Sequence, residues 1–365
     1  MPQTCHKLLL LYFTTFLSVA VMANTTTEPV KLGMSAPFSG PAAELGVDYR
    51  RGADLVFTQL NQRGGINGRQ IQLLSLDDAY IAAQTINNTQ SLLQQQVFAL
   101  FGYVGTPGVE AVLPILRQNR TPFLAAFTGA EQLAHPNHEF IINLRASYQQ
   151  EAEAQIRYFV DEQNLTRFVI LVPADELDTG IEYGFSQALQ QRKLQPLLVR
   201  RYLLNQADIE QTIATIKPLQ PQVVIIAGSY QQVAKMINTA VNQEFMPAFS
   251  TLSFAGISAL QQHLKHFVQV YASMVVPDPS NNQHHLVAQY QQHSLQSGVN
   301  QFSDVSLEGY LAAIAISTAL DQCRLNLQHS CLLRQLRPLN LLQQSDGSRP
   351  VFMVQVSQRQ LKPLN

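Results

Sequence analysis

Short, continuously apolar runs that alternate with segments of helical spacing constrain this chain more than any other feature. Runs at 168–172 and 223–227 are apolar at every position, which is typical of strands covered on both faces. Between such runs, apolar residues recur at helical spacing, as in 49–62, a segment that Gly64 and Gly65 end. This rhythm predicts parallel, doubly wound α/β sheets. The length of 365 residues predicts two of them.

The same patterns set approximate bounds for the remaining elements. Further helices are predicted at 82–95 and 109–118. Further strands are predicted at 30–34, 70–76, 97–103, 122–126, 197–202 and 246–251.

The first residues have the pattern of a secretory signal. Lys7 provides a short positive region, an apolar stretch covers 8–21, and small residues precede Asn24. This predicts a signal peptide over 1–23, cleavage near Ala23, and a mature protein that is soluble and exported to the periplasm. The alternative is a retained anchor, but a bilayer span needs roughly 20 apolar residues. Cys5 precedes the apolar stretch, and no cysteine lies at the cleavage position, so a lipid anchor is not indicated.

Two cysteines follow the signal, Cys323 and Cys331, and they flank a short polar segment. An oxidising compartment permits a disulfide between them, and a helix–loop–helix corner can bring such residues within bonding distance. Two independent buried thiols are the alternative. A metal site requires more ligands than this segment supplies.

Charge and motif content argue against several classes of function. Lys and Arg number 24 against 25 Asp and Glu, so nothing favours binding to nucleic acid or to an anionic membrane. Nine histidines lie in polar stretches without a convincing metal spacing. Asp77 and Asp78 could be paired acid/base carboxylates, but they fit better as groups that hold a loop. No nucleophile, base and oxyanion hole assemble, so we expect neither an enzyme nor a cofactor.

The stretch LFGYVGTPGVEAVLPIL, residues 100–116, separates two apolar elements with a loop of small residues. Thr106 is predicted as the N-cap of a helix and Pro107 as its first residue. The backbone N–H groups of Gly108 and its neighbours then face solvent at the positive end of a helix dipole, where an anion can bind. The alternative is that Thr106 only caps its helix.

The next strand–helix loop repeats this arrangement in PFLAAFTGAEQL. Phe127, Thr128 and Gly129 follow an apolar run and precede a helical segment. Ligands bind at the carboxyl ends of strands in doubly wound sheets, where such loops gather. The two neighbouring loops are therefore predicted to hold one carboxylate between them.

Several of these stretches, in this order, resemble periplasmic solute-binding proteins of the branched-chain amino-acid type. They are VKLGMSAPFSGPAAELG, RGADLVFTQLNQRGGINGRQIQLLSLDDAY, LFGYVGTPG, PFLAAFTGAEQL, NLRASYQQEAE and SLEGYLAA. The resemblance implies a type I periplasmic binding fold with two α/β lobes, joined by a hinge that the chain crosses three times. Lobe 1 would comprise 29–144 and 278–340, and lobe 2 would comprise 145–277 and 341–365.

The resemblance also implies roles for particular residues in an interlobe cleft. Thr106 matches the hydroxyl residue that holds the ligand's carboxylate, Phe127 and Gly129 complete that grip, and Thr128 lies one step from a second hydroxyl. Leu45 lines the side-chain pocket, Tyr148 faces the cleft from the hinge, and Tyr230 contacts the ligand from lobe 2. Two positions depart from the family pattern. Asp178 or Leu177 takes an aromatic position, and Ser253 stands where amino-acid binders place an acid.

The function implied is capture of a small carboxylate or amino-acid-like ligand and its delivery to the permease of an ATP-driven importer. The protein is expected to be a monomer. One alternative is the same fold used as a sensor that reports occupancy to a separate membrane receptor. Another is an exported hydrolase, which would release product rather than intact solute. Fold analogy alone does not choose among them.

Overall fold

The computed structural model describes residues 28–135, 137–174, 180–266, 268–339, 341–342, 349–357 and 361–364. The predicted signal peptide lies outside these residues. In the described part of the chain, no helix combines the length and the apolar character that crossing a bilayer requires.

Five parallel strands form the first sheet, which defines the first lobe. Their order is β2-β1-β3-β4-β5. Strands β2 and β3 pair with opposite sides of β1, so the strand order reverses between β1 and β3. At such a reversal a crevice opens at the carboxyl ends of the strands. The strands are β1 (Val30–Ala36), β2 (Ile71–Asp77), β3 (Ala99–Phe101), β4 (Phe123–Leu124) and β5 (Ile141–Ile142).

Seven strands form the second sheet, which defines the second lobe. Their order is β12-β11-β10-β9-β8-β6-β7, and the strands from β6 to β10 repeat the parallel pattern of the first sheet, with the reversal between β6 and β8. The last two strands pair antiparallel. The strands are β6 (Phe168–Pro173), β7 (Leu198–Tyr202), β8 (Val223–Ile226), β9 (Ala248–Thr251), β10 (Val270–Met274), β11 (Phe352–Val356) and β12 (Leu361–Leu364).

Helices flank both sheets, and one from late in the chain returns to the first lobe. The helices are α1 (Ala43–Gln62), α2 (Ala82–Gln94), α3 (Thr106–Asn119), α4 (Tyr148–Ile156), α5 (Gly180–Gln191), α6 (Gln206–Ile216), α7 (Tyr230–Asn242), α8 (Ile257–His263), α9 (His285–Gln296), α10 (Asp304–Gln322) and α11 (His329–Leu336). Helix α10 packs on α1, with Gly52 and Gly309 at the crossing. A Cβ at Gly52 would lie 1.8 Å from the carbonyl oxygen of Ser306, so glycine permits this close contact.

The predicted cap of α3 is wrong. Gly105, with φ 95°, is the N-cap residue, and Thr106 is already the first residue of the helix. Glycine suits this left-handed conformation, and it frees the Thr106 hydroxyl for other contacts. The predicted strands at 97–103 and 122–126 are also longer than the observed β3 and β4.

Cys323 and Cys331 are joined by a disulfide. Their sulfur atoms are 2.02 Å apart and their Cα atoms 6.0 Å apart. Cys323 ends α10 and Cys331 lies in α11, so the disulfide ties the corner between these two helices together.

Candidate functional site

The crevices of the two sheets face each other, and the lobes touch around them. The carboxylate of Asp304, at the start of α10, accepts hydrogen bonds from the backbone N–H groups of Ile257 and Ser258 in the second lobe, at 2.8 and 2.9 Å. Leu45 of α1 lies against Gly256, because a Cβ added to that glycine would be 2.6 Å from a Leu45 methyl carbon. The cleft between the lobes is therefore closed along this side.

A second contact between the lobes surrounds Glu44, which precedes Leu45 on α1. Burial raises the pKa of the Tyr230 hydroxyl, on which the nearby Glu44 also acts, and a carboxylate oxygen of Glu44 lies 3.7 Å from Nε2 of His263. The rings of Tyr230 and His263 pack with their centroids 4.8 Å apart. Tyr230, the predicted contact from lobe 2, therefore lies at the rim of the cleft.

Three buried hydroxyl groups meet at the carboxyl ends of β3 and β4. The hydroxyl oxygens of Thr106 and Thr128 are 2.7 Å apart, and the Tyr148 hydroxyl lies 3.4 Å from Thr106 and 3.2 Å from Thr128. All three residues are at most 1% exposed. The backbone N–H of Ala130 also donates to the Thr128 hydroxyl, at 3.3 Å. We call these three residues the hydroxyl cluster.

Local backbone features bring the hydroxyl cluster together. The Tyr148 backbone N–H donates to the Gly129 carbonyl at 2.9 Å, and a Cβ at Gly129 would lie 2.7 Å from the Tyr148 ring. Glycine is therefore required for this approach. Ser147 and Gln150 form a capping box that fixes the start of α4 and thereby the Tyr148 position.

The hydroxyl cluster has the chemistry of an anion site without a buried cation in it. Each hydroxyl has one O–H donor that can rotate, and within the cluster the three groups hydrogen-bond with one another. Hydrogen bonds to an ionised acceptor are stronger than those between neutral groups. A carboxylate that reaches this point can therefore replace the weaker hydroxyl–hydroxyl bonds with charge-assisted ones.

Aromatic rings from both lobes lie beside the hydroxyl cluster. Phe254 of the second lobe packs against Phe127, with ring centroids 5.7 Å apart, and against Tyr80, with centroids 6.2 Å apart. Phe127 and Tyr80 both follow strands of the first sheet. Together the three rings form an apolar wall across the cleft.

Tyr80 is held in this wall by the two carboxylates that end β2. Its backbone has φ 64°, an uncommon conformation for a residue other than glycine. Its N–H donates to Asp78 at 3.0 Å, while Asp77 accepts hydrogen bonds from the backbone and hydroxyl groups of Ser39. The Tyr80 ring lies against Gly105, where a Cβ would come within 2.3 Å of it. The paired aspartates thus hold a loop, the alternative that the sequence favoured.

Ser253 belongs to a buried network of charged and polar groups and does not face the cleft. Its backbone N–H and its hydroxyl both donate to the Glu151 carboxylate at 2.8 Å, and Ser273 donates to the same carboxylate at 2.6 Å. Arg145 donates to the Ser253 hydroxyl, and its Nη2 lies 3.8 Å from Glu151. Arg145 is 4% exposed and Glu151 is fully buried.

Arg145 connects this network to the first lobe. Its guanidinium lies 4.5 Å above the centroid of the Phe127 ring, and Nη1 is 3.6 Å from the Glu308 carboxylate on α10. Burial alone would lower the pKa of Arg145, but Glu308 and Glu151 raise it. Burial raises the pKa of Glu308 to about 7. The nearby Arg145 opposes this shift, and Glu151 adds to it. Arg145 therefore lies between two acidic residues, Glu151 and Glu308.

The sequence-predicted site residues lie in different parts of the molecule. Thr106, Thr128 and Tyr148 meet in the hydroxyl cluster with Phe127 beside them, whereas Leu45 and Tyr230 lie at the contact between the lobes. Gly108 packs on α2, because a Cβ there would lie 2.7 Å from the Thr85 hydroxyl. Asp178, with Glu176 and Leu177, lies outside the described residues.

Sequence reasoning missed four residues that shape the cleft, namely Tyr80, Phe254, Arg145 and Glu151. A signal was available for two of them. Tyr80 and Phe254 each lie shortly after a predicted strand, at the end where ligands bind in such sheets. Nothing in the local sequence places Glu151 against Ser253, which is 102 residues away.

Two facing α/β lobes with a hydroxyl cluster in the closed crevice define a solute-binding protein of the type I periplasmic binding fold. The chain belongs to the family described as Periplasmic binding protein, whose model matches residues 29–357. The family is one of solute-binding proteins.

Named relatives and solved structures agree with this assignment. The Leu/Ile/Val-binding protein of Escherichia coli (strain K12) is 19% identical over 325 residues, which cover 83% of this chain and 88% of the relative. The crystal structure of a possible leucine/isoleucine/valine-binding protein from Rhodopirellula baltica SH 1 matches with a TM-score of 0.83 and 28% identity, covering 93% and 97% of the two chains. A fatty acid ABC transporter substrate-binding protein from Thermomonospora curvata shares the fold, with a TM-score of 0.81, 16% identity and coverage of 93% and 92%.

Proposed function

We propose that this protein captures a small carboxylate in the cleft between its lobes and delivers it to the membrane permease of an ATP-driven importer. The observation that carries this proposal is the hydroxyl cluster of Thr106, Thr128 and Tyr148, buried where the strand order of the first sheet reverses. Two or three charge-assisted hydrogen bonds of roughly 1.5–3 kcal/mol each can hold one carboxylate there.

The ligand's remaining part is apolar and needs no α-amino group. The aromatic wall of Phe127, Tyr80 and Phe254 favours an apolar or flat body. A buried ammonium requires a negative partner. Ser253 stands where amino-acid binders have that acid, and the nearby Glu151 already accepts three hydrogen bonds and lies beside Arg145.

The names of similar proteins are compatible with such a ligand. Branched-chain amino acids, named for the E. coli relative, carry a carboxylate and an apolar side chain. Fatty acids, named for the Thermomonospora curvata protein, carry a carboxylate and no ammonium. A carboxylate with an apolar portion is the chemistry that the two have in common.

Delivery depends on closure of the lobes around the ligand. We propose that 29–144 with 278–340 and 145–277 with 341–365 move as two bodies, and that the ligand favours the closed arrangement. Contacts such as Asp304 with the start of α8 then form on closure. We further propose export to the periplasm, cleavage near Ala23, and a monomeric mature protein whose closed form the permease recognises.

Native mass spectrometry of freshly purified mature protein tests this proposal, followed by denaturation to identify the released solute. An intact small carboxylate supports it. A thermal-shift screen of amino acids, keto acids and aromatic acids is the companion measurement, because a ligand at a hundredfold excess over Kd stabilises the folded state by about 2.7 kcal/mol. If no member of the screen shifts the Tm and no solute is released, the proposal fails.

A further inference from the structure

We infer that Phe254 sets the upper size limit of the ligand's apolar portion, and that the buried carboxylate of Glu151 is the positioning group that holds Phe254 in the cleft. This inference rests on the proposed function, because it concerns the ligand that the hydroxyl cluster would hold.

The ring of Phe254 crosses the cleft from the second lobe and contacts two rings of the first lobe. Its ring packs on Phe127 at 5.7 Å and on Tyr80 at 6.2 Å between centroids. Phe127 is directly followed by Thr128 of the hydroxyl cluster, and Tyr80 covers Gly105, which directly precedes Thr106. A ligand anchored by its carboxylate at the cluster must therefore place its apolar end against or beside the Phe254 ring.

The backbone around Phe254 is fixed on both sides. Phe254 lies in a short 3₁₀ turn, Ser253–Ala255, and Gly256 follows in the left-handed conformation with φ 73°. Beyond it, Asp304 accepts hydrogen bonds from the first two N–H groups of α8. The backbone position from which the Phe254 ring projects is therefore fixed.

Glu151 holds the other end of the turn. Its two carboxylate oxygens accept hydrogen bonds from the N–H and the hydroxyl of Ser253, each at 2.8 Å. Ser273 on β10 donates to the same carboxylate at 2.6 Å, which ties the turn to the second sheet. Glu151 thus acts on the ligand through Phe254 and not by direct contact.

The inference predicts which carboxylates bind. In the unchanged protein, an acid with one ring, such as benzoate, should bind more tightly than an acid with two fused rings, such as 2-naphthoate. Removing the Phe254 ring opens space next to Phe127 and Tyr80, so Phe254→Ala should favour the larger acid. Pockets discriminate by roughly tenfold or more for small changes in apolar size, so the ratio of the two Kd values should shift by at least about tenfold.

Calorimetric titration of both acids, together with a panel of amino acids and aliphatic carboxylates, tests the inference. The variants are Phe254→Ala and Phe254→Leu, the latter in case the alanine variant does not fold. Phe249→Leu is the matched control, because Phe249 is 1% exposed and lies on β9, the strand that precedes the turn. Glu151→Gln tests the positioning role, with Glu153→Gln on the exposed side of the same helix as its control.

The inference is supported if the ratio of the two Kd values shifts in the Phe254 variants and shifts less, in the same direction, in Glu151→Gln. Both controls should then give a ratio within twofold of that of the unchanged protein. The same size preference in the unchanged protein and the Phe254 variants overturns it while leaving the proposed function standing. If neither the unchanged protein nor any variant binds any member of the panel, the proposed function fails and the inference fails with it.

Discussion

The two lobes share one strand order but carry different side chains at equivalent positions. In each sheet the order reverses beside the first strand of the lobe, between β1 and β3 or between β6 and β8. The helix after β3 begins with Thr106, whereas the helix after β8 begins with Tyr230. After β4 comes Thr128, and after β9 come Ser253 and Phe254. At these equivalent positions the first lobe therefore carries two threonine hydroxyls, whereas the second carries Tyr230, Ser253 and Phe254.

The polar groups of the two lobes also differ in their partners. Thr106 and Thr128 of the first lobe hydrogen-bond with each other and with the Tyr148 hydroxyl, so an anion can replace these bonds. The Glu151 carboxylate of the second lobe is already bonded to Ser253 and Ser273. One topology can thus support the threonines of an anion site in one lobe and, in the other, a buried charged network that holds the turn of Phe254, and each difference can be tested separately.

The largest expected effect on stability comes from removing the buried Glu151 carboxylate of the second lobe. Glu151→Ala removes one of the two carboxylates beside the buried Arg145 and leaves the Ser253 N–H without its carboxylate acceptor. Breaking a buried pair on one side costs about 3–5 kcal/mol. Urea unfolding of the ligand-free protein and of the variant measures this loss of stability.

Glu153→Ala is the matched control on the same helix. Glu153 forms a salt bridge with Arg192 at 2.7 Å, and its side chain is 44% exposed, so we expect at most about 1 kcal/mol. Equal effects of the two substitutions would show that the Glu151 network is not structural.

A second test concerns Glu308, the acid on the first-lobe side of Arg145. Its pKa is raised from 4.5 to about 7 in the folded protein, mainly by burial. The folded state therefore binds the proton more tightly than the unfolded state, and stability falls as the pH rises from about 4.5 to about 7. The full loss is about 3 kcal/mol. Glu308→Gln should remove this decline.

The measurement is the Tm of both proteins between pH 4 and pH 8. The Tm of Glu308→Gln minus that of the unchanged protein should increase as the pH rises through this window. Glu139→Gln, whose carboxylate side chain is 68% exposed, should give a constant difference. A constant difference for Glu308→Gln as well would contradict the account of its environment.

A smaller effect on stability but a clear effect on binding is expected from the first lobe. Thr106→Val removes a hydroxyl from the cluster, and with it a hydrogen bond to the ligand's charged group. The affinity should fall by about 1.5–3 kcal/mol, roughly 10- to 150-fold in Kd. Calorimetric titration with the identified solute measures this.

Thr89→Val is the control for a lost buried threonine hydroxyl. Thr89 hydrogen-bonds to Tyr103 and to a carbonyl within α2, away from the hydroxyl cluster. It should lower stability while leaving the affinity unchanged. An unchanged affinity for Thr106→Val would mean that the hydroxyl cluster is only structural.

Much of the fold could be predicted from the sequence, because it depends on local patterns. Continuous apolar runs identified the strands from β1 to β4 and from β6 to β9, and the glycine pair after α1 marked its end. The strands β5 and β10 and the antiparallel strands β11 and β12 were missed. Two-residue β5 gives too short a pattern, and strand direction depends on the path of the chain, not on apolar spacing.

The sequence predicted the part of the candidate site that the first lobe provides, but very little of the part that the second lobe provides. Thr106 and Thr128 follow consecutive strands of one sheet, so the rule about carboxyl ends applies to both. The partnership of Glu151 with Ser253 joins residues 102 positions apart, and no periodicity encodes it. The cap of α3 was misjudged because Thr106 and the preceding Gly105 are both acceptable N-cap residues, and the left-handed φ of 95° decides for glycine.

We propose that the first lobe binds the ligand's carboxylate and that the described residues of the second lobe place no free acid beside the cleft for an ammonium. Calorimetric titration of matched pairs tests it most directly: leucine against 4-methylpentanoate, and phenylalanine against 3-phenylpropanoate. The account predicts that neither amino acid binds more tightly than its deaminated counterpart. Binding of either amino acid more than tenfold tighter, about 1.4 kcal/mol, would contradict the account and show that an acid reaches the ammonium.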